Sequence, residues 1–167
     1  MRIDRLEVEN FKGFSRLAFD LHPNFTLFIG ENGAGKTTVL DALAVAAGLW
    51  LLDPPDSALA GSRRKIFATE IRLEPESKGD RVQFREYRPV RVQATGRIGE
   101  HEPVTWTRQI RANGKRTSNM ESREALAFAK DIYTRDGAGE NSGYPVRMHV
   151  SFAAGNWGVA FRGNSSA

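Results

Sequence analysis

Residues 25–43 read Phe25-Thr26-Leu27-Phe28-Ile29-Gly30-Glu31-Asn32-Gly33-Ala34-Gly35-Lys36-Thr37-Thr38-Val39-Leu40-Asp41-Ala42-Leu43, and this stretch decides the fold. The first five residues are nearly all apolar and end at a glycine, which predicts a strand buried on both faces. Glycine, four residues, then Gly-Lys-Thr follow, the spacing of a phosphate-binding loop between strand and helix. Glycines let the backbone turn so that several N–H groups point at one anion, and the positive end of the next helix faces the same way. Lys36 is expected to reach the β- and γ-phosphates of a nucleoside triphosphate, Thr37 to ligate its Mg²⁺, and Thr38 to bond the α-phosphate. The nucleotide expected is ATP. Gly30, Asn32, Gly33, Ala34 and Gly35 form the cradle. A Gly-rich linker without function would have no need of the lysine and two threonines.

From Lys36 to about Leu52 apolar residues recur at helical spacing, and Pro54-Pro55 stop the helix. Upstream, Ile3-Asp4-Arg5-Leu6-Glu7-Val8-Glu9 predicts a half-buried strand, and Arg16 to Leu21 a second, closed by His22-Pro23-Asn24. Downstream of a loop from Asp53 to Gly61, strands are expected at Phe67 to Leu73, Arg81 to Tyr87, Val90 to Ala94 and Val104 to Ile110. Lys78-Gly79-Asp80, Gly96 and Gly99 separate them, so this middle part predicts an antiparallel sheet. Asn113-Gly114 is a turn, and Ser118-Asn119-Met120-Glu121 resembles a capping box opening a helix through Ile132. Gly137 to Gly143 reads as a loop and Pro145 to Phe152 as one more strand. The expected boundaries are 1–152 for the lobe and 153–167 for a poorly ordered tail.

Composition narrows the rest. The 167 residues suit one domain, and 40% hydrophobic content supports a core. No run approaches the ~18 apolar residues of a membrane span, and the charged start does not fit a signal peptide, so the expectation is a cytoplasmic protein without membrane partners. Cysteine is absent and the three histidines lack ligand spacing, so a metal must arrive with the nucleotide. Lys+Arg number 24 against 20 for Asp+Glu, an excess that suits ATP or DNA. The basic residues crowd at Arg63-Arg64-Lys65 and between Arg81 and Arg116, where most are expected to solvate strand faces.

Residues 8–14, Val8-Glu9-Asn10-Phe11-Lys12-Gly13-Phe14, together with Glu31-Asn32-Gly33-Ala34-Gly35-Lys36-Thr37-Thr38 and Val39-Leu40-Asp41-Ala42-Leu43, carry a finer assignment. The combination resembles the ATP-binding heads of the SMC and RecF group of ABC-type ATPases, most specifically over residues 1–45. The resemblance implies an α/β P-loop NTPase N-terminal lobe with a mixed sheet and an antiparallel β-subdomain. It implies that Asn10, Lys12 and Gly13 lie beside the nucleotide, Lys12 near phosphate or ribose, and that Arg63 or Arg64 approaches it from beyond the first helix. Phe11 and Phe14 read as core. The partners implied are a C-terminal ATPase lobe and a second head, in DNA repair, chromosome maintenance or phage defence.

Such heads hydrolyse ATP with an apolar strand ending in Asp-Glu (Walker B), a Leu-Ser-Gly-Gly-type signature, a glutamine loop and a switch histidine, and none is intact in this sequence. Leu49-Trp50-Leu51-Leu52-Asp53 and Leu17-Ala18-Phe19-Asp20 match a Walker B superficially; both read as structural. The chain is therefore expected to bind nucleotide and turn it over very slowly alone, as an incomplete lobe. Two other readings stay open. A small GTPase or kinase would need Asn/Thr-Lys-x-Asp or lid arginines, which are lacking; a non-catalytic ATP- or DNA-binding regulatory module would bind DNA without nucleotide and with strong salt dependence. Apolar surface meant for a second lobe would favour homo-oligomers.

Overall fold

The computed structural model describes residues 1–49, 64–136, 146–153 and 156–163. Its centre is a five-stranded sheet in the order β2-β1-β5-β6-β7, built from β1 (Arg2–Phe11), β2 (Phe14–Asp20), β5 (Val90–Arg97), β6 (Val104–Ile110) and β7 (Thr117–Ser118). Every ladder in it is antiparallel. The strands β3 (Leu73–Lys78) and β4 (Arg81–Glu86) form a separate hairpin, and β8 (Val146–Ala153) pairs with β9 (Asn156–Gly163) in another.

β1 shows why its sequence is not a plain alternation. Ile3, Leu6 and Val8 are all buried, although Ile3 and Leu6 are three apart. A bulge between Ile3 and Arg5 absorbs the extra residue and keeps both side chains on the inner face. Gly96 lies opposite this irregularity, where a Cβ would stand 2.0 Å from the carbonyl oxygen of Arg2. It therefore sits inside β5, not between two strands as its type suggested; it is there because two backbones approach closely.

The helix α1 (Lys36–Ala47) lies on the face carrying Leu6, Val8, Val90, Val92, Ala94 and Trp106 and buries Val39, Ala42, Leu43, Val45 and Ala46. Small residues at 42 and 46 let the helix sit close to the sheet, and the Trp106 indole N–H donates to the Ala46 carbonyl at 3.1 Å. α1 ends at Gly48, earlier than the expected Leu52, so Pro54-Pro55 are not what stops it. Arg108 and the Arg64 carbonyl fill the space beside Gly48, 2.7 and 2.6 Å from where a Cβ would be. Trp50 to Arg63, including the expected loop, most of one Walker B look-alike and one candidate arginine, lie outside the described residues.

Three other expectations change. Phe67 to Leu73 is not a strand: Ala68–Glu70 form a 3₁₀ turn, closed because the Glu70 carboxylate accepts the Phe67 N–H at 3.0 Å, and β3 starts only at Leu73. The capping box at Ser118 does not form, because Glu121 is drawn to the Gln109 amide at 2.6 Å; a 3₁₀ turn at Met120–Ser122 leads into α2 (Arg123–Asp136) instead. Phe25 to Ile29 is not a strand: it has no ladder partner among the described residues. Phe28 turns inward, edge-on to Phe19 with ring centroids 5.4 Å apart, while Phe25, Leu27 and Ile29 are 64, 61 and 85% exposed.

Candidate nucleotide site

The loop between Ile29 and α1 depends on two left-handed glycines, Gly33 at φ 88° and Gly35 at φ 91°. Gly35 is constrained a second time, since a Cβ there would meet the Phe14 ring at 2.4 Å. Within the loop the Ala34 N–H bonds the Glu31 carbonyl at 3.2 Å, and the Val39 N–H closes the first helical bond onto Gly35 at 3.0 Å. The N–H groups of Lys36, Thr37 and Thr38 open the helix, where no intrahelical carbonyl can serve them. The Lys36 ammonium folds over this arch and donates to the carbonyls of Gly30 at 2.6 Å and Glu31 at 2.8 Å. Asn32, Gly33, Ala34 and the Thr37 side chain face solvent, and Thr38 is half-buried. Among the described residues no group of three or more His, Asp or Glu side chains could hold a metal.

The turn between β1 and β2 comes up beside the loop. Asn10 and Lys12 have positive φ values of 52° and 50°, uncommon for residues with a Cβ. Two hydrogen bonds fix them there: Lys12 N–H to the Glu70 carbonyl at 2.7 Å, and Arg72 N–H to the Asn10 carbonyl at 3.0 Å. The Asn10 amide donates to the Pro89 carbonyl at 2.9 Å, and Gly13 is exposed at the tip. Phe11 is fully buried and Phe14 packs against the core, as read from the sequence.

Lys12 and Arg64 meet over two carboxylates. The Lys12 ammonium bonds Asp41 Oδ2 and stands 3.4 Å from Glu70 Oε1. Arg64 donates to Glu70 Oε1 at 2.5 Å and Oε2 at 2.9 Å, reaches Asp41 Oδ1 at 3.4 Å, and stacks on Phe67. Burial works against the Glu70 carboxylate, but the hydrogen bonds from Arg64 and the Phe67 N–H, with the charges of Arg64 and Lys12, outweigh it and hold the carboxyl below its usual range. The Glu70 hydrogen bond raises the Arg64 guanidinium in turn, against its own desolvation. Asp41 and Glu70 were not singled out in the sequence. Asp41 could have been, since it lies four residues after Thr37 and so on the same helical face; nothing local marks Glu70.

Several other basic residues have separate occupations. Arg5 pairs with Glu7 and Asp20, Arg91 with Glu9, and Arg88 with Glu86. Asp20, the acid of the second Walker B look-alike, is thus an ion-pair partner on a sheet edge. Arg108 departs from the expectation of a solvated face. It is buried on the α1 side of the sheet, donating to the carbonyls of Val45 at 2.6 Å and Arg64 and to Asn119 Oδ1 at 3.0 Å. Burial, with the nearby Arg64 charge, lowers it to about 10, so it stays charged at neutral pH.

A family model described as an AAA domain matches residues 5–140. The DNA replication and repair protein RecF of Lactococcus lactis is 40% identical over 43 residues, covering 26% of this chain and 12% of that protein. The chromosome partition protein Smc of Methanocaldococcus jannaschii is 37% identical over 46 residues, covering 28% of this chain and 4% of that protein. The matched stretch is thus a small part of each relative. A solved structure described under "Structural biochemistry of ATP-driven dimerization and DNA stimulated activation of SMC ATPases" aligns with a TM-score of 0.45 and 22% identity, covering 82% of this chain and 83% of that one. Among the described residues no helix is long and apolar enough to cross a membrane. With a family match over most of its length, and short matches to RecF and Smc beside it, the chain belongs to the AAA-domain family.

Proposed function

We propose that this chain binds Mg–ATP on the loop from Gly30 to Thr37, as the nucleotide-holding lobe of an ATPase acting in DNA repair or chromosome maintenance. One observation carries the reading: Lys36, between two left-handed glycine turns and the open N–H groups of α1, is held on the carbonyls of Gly30 and Glu31 inside the arch it would share with phosphate. On binding, the ammonium exchanges those carbonyls for β- and γ-oxygens. Gly30, Asn32, Gly33, Ala34 and Gly35 supply backbone around the phosphates, and Thr38 a hydroxyl to the α-phosphate. The Thr37 hydroxyl would hold Mg²⁺, which offsets phosphate charge when bound. Asn10 and Gly13 shape the neighbouring turn, and Lys12 is within reach of the same anion.

Binding and hydrolysis separate here. The sequence has no apolar strand ending in Asp-Glu to organise the metal and polarise water. A C-terminal lobe and a second head would supply those groups, and the exposed Phe25, Leu27 and Ile29 offer an edge for the first. The names of the RecF and Smc relatives support DNA as the eventual substrate of the assembled ATPase.

Calorimetric titration of ATP–Mg²⁺ and GTP–Mg²⁺ into the chain and into Lys36→Ala, followed by a phosphate-release assay, tests this. ATP binding that Lys36→Ala abolishes, without phosphate release, is the expected result. Rapid release by the chain alone would mean that catalytic carboxylates lie elsewhere in it. Binding unchanged by the substitution would remove the loop from the site.

A further inference from the structure

Asp41 occupies a particular place relative to the loop. It is one helical turn beyond Thr37, so the two Cβ atoms are about 6 Å apart on one face of α1. From the other side comes the β1–β2 turn, where Phe14 lies against Gly35 and Lys12, two residues earlier, delivers its ammonium to Asp41. A lysine side chain pivoting on its stem covers such a distance.

The two carboxylates of the cluster are not equivalent. Glu70 is buried, with both oxygens engaged by Arg64 and one also by the Phe67 N–H. Disturbing it would strand a buried charge. Asp41 is more open: it holds the Lys12 ammonium, which stands 3.4 Å from Glu70, and has only a 3.4 Å contact from Arg64. The backbone supports a special role for Lys12. Its N–H on the Glu70 carbonyl, 2.7 Å, holds its main chain in place, so its ammonium can move while the backbone does not.

We propose that Asp41 is a positioning residue that tunes nucleotide affinity by competing with the triphosphate for the Lys12 ammonium. The inference rests on the loop binding ATP, as argued above. With Asp41 charged, the two cations are held side by side at the mouth of the site and are partly neutralised. An incoming triphosphate draws Lys12 off Asp41, while Glu70 keeps Arg64 in place. Asp41 therefore lowers affinity and makes release easier.

The test is titration of ATP–Mg²⁺ into the wild-type chain, Asp41→Asn, Lys12→Ala, the Lys12→Ala/Asp41→Asn double variant and Lys36→Ala, with a thermal melt of each. Asp41→Asn should bind three- to ten-fold tighter than wild type, an effect that structural damage would not produce. The gain should vanish when Lys12 is also removed. A gain that persists in the double variant would reflect simple relief of repulsion between Asp41 and phosphate, and would overturn the proposal. So would unchanged or weaker binding by a folded Asp41→Asn; Asp41→Ser carries the same expectation if the asparagine variant melts early. If Lys36→Ala abolishes binding but Asp41→Asn gains nothing, the loop reading stands and only the role of Asp41 falls. Wild-type binding by Lys36→Ala, or no binding by the wild type, would remove the loop reading and this proposal together.

Discussion

Replacing Gly35 by alanine should cost more than replacing Gly33, although both glycines have nearly the same backbone conformation. A methyl group added at Gly33, φ 88°, would have nothing within 4 Å, so Gly33→Ala meets only the left-handed penalty, about 1–2 kcal/mol. At Gly35, φ 91°, the methyl would stand 2.4 Å from Phe14 Cζ and 3.0 Å from Cε2. Overpacking against a ring held by the core adds about 1–3 kcal/mol, giving ~2–5 kcal/mol in total. For a chain of this size that is a drop of roughly 5–15 °C in Tm. Phe14→Leu should remove the steric part and leave the backbone part, so the double variant should be less destabilised than the sum of the singles by about 1–3 kcal/mol. Urea unfolding followed by far-ultraviolet circular dichroism measures all four variants. Equal costs at Gly33 and Gly35, or strict additivity with Phe14→Leu, would refute the idea that the β1–β2 turn braces the loop through this ring.

Arg108→Met should cost about 3–5 kcal/mol in urea unfolding, because a buried acceptor at Val45 and part-buried ones at Arg64 and Asn119 lose their donor; a loss under about 1 kcal/mol would count against its role in tying these segments together. Glu70 has a folded-state pKa below its ordinary 4.5, so it contributes stability that is present above that pH and is lost as pH falls through the folded value. Glu70→Gln should therefore lower stability by about 2–3 kcal/mol at pH 7 and make stability less sensitive to acid below about 4.5, as read from thermal melts across pH. The exposed Phe25, Leu27 and Ile29 predict concentration-dependent self-association, which Leu27→Lys should reduce; sedimentation of the wild type as a clean monomer at high concentration would contradict this.

What the sequence showed clearly was local. The spacing from Gly30 to Thr37 predicted a glycine turn opening a helix, and Gly33 and Gly35 do take positive φ just before α1. The β1, β4 and β6 strands were legible from their β-forming residues and the turns between them, although β4 is exposed on both faces and β6 buried over nearly all its length; Lys78-Gly79-Asp80 is a turn by composition alone. The failures share another cause, which is competition from distant residues. Glu70 folds Phe67 to Glu70 into a turn because its partners Arg64 and Lys12 converge on it, and no local pattern encodes that. Gly96 has the look of a separator, and only the Arg2 backbone packed against it explains its place inside a strand. Glu121 had the spacing of a capping residue but found Gln109 across the sheet edge. The same holds beside the loop: the pairing of Lys12 with Asp41 spans 29 positions, and no local pattern encodes it.

Arg108 explains how a side chain near the loop could change partners without unravelling what surrounds it. A buried cation without a carboxylate on it is costly unless dipoles replace water, and the dipoles here are the Val45 carbonyl at the negative end of α1 and the carbonyl of Arg64. The same guanidinium thus anchors the far end of the helix whose near end holds the phosphate loop, and pins the backbone of Arg64. Arg64 can then share its guanidinium between Glu70 and Asp41 over a fixed main chain. Lys12 is pinned likewise, by its N–H on the Glu70 carbonyl, with only its ammonium left to choose between Asp41 and an anion. Competition between a carboxylate and a phosphate for these cations requires that arrangement: rigid backbones, movable charges, and a buried Glu70 that keeps the cluster from dispersing when one partner leaves.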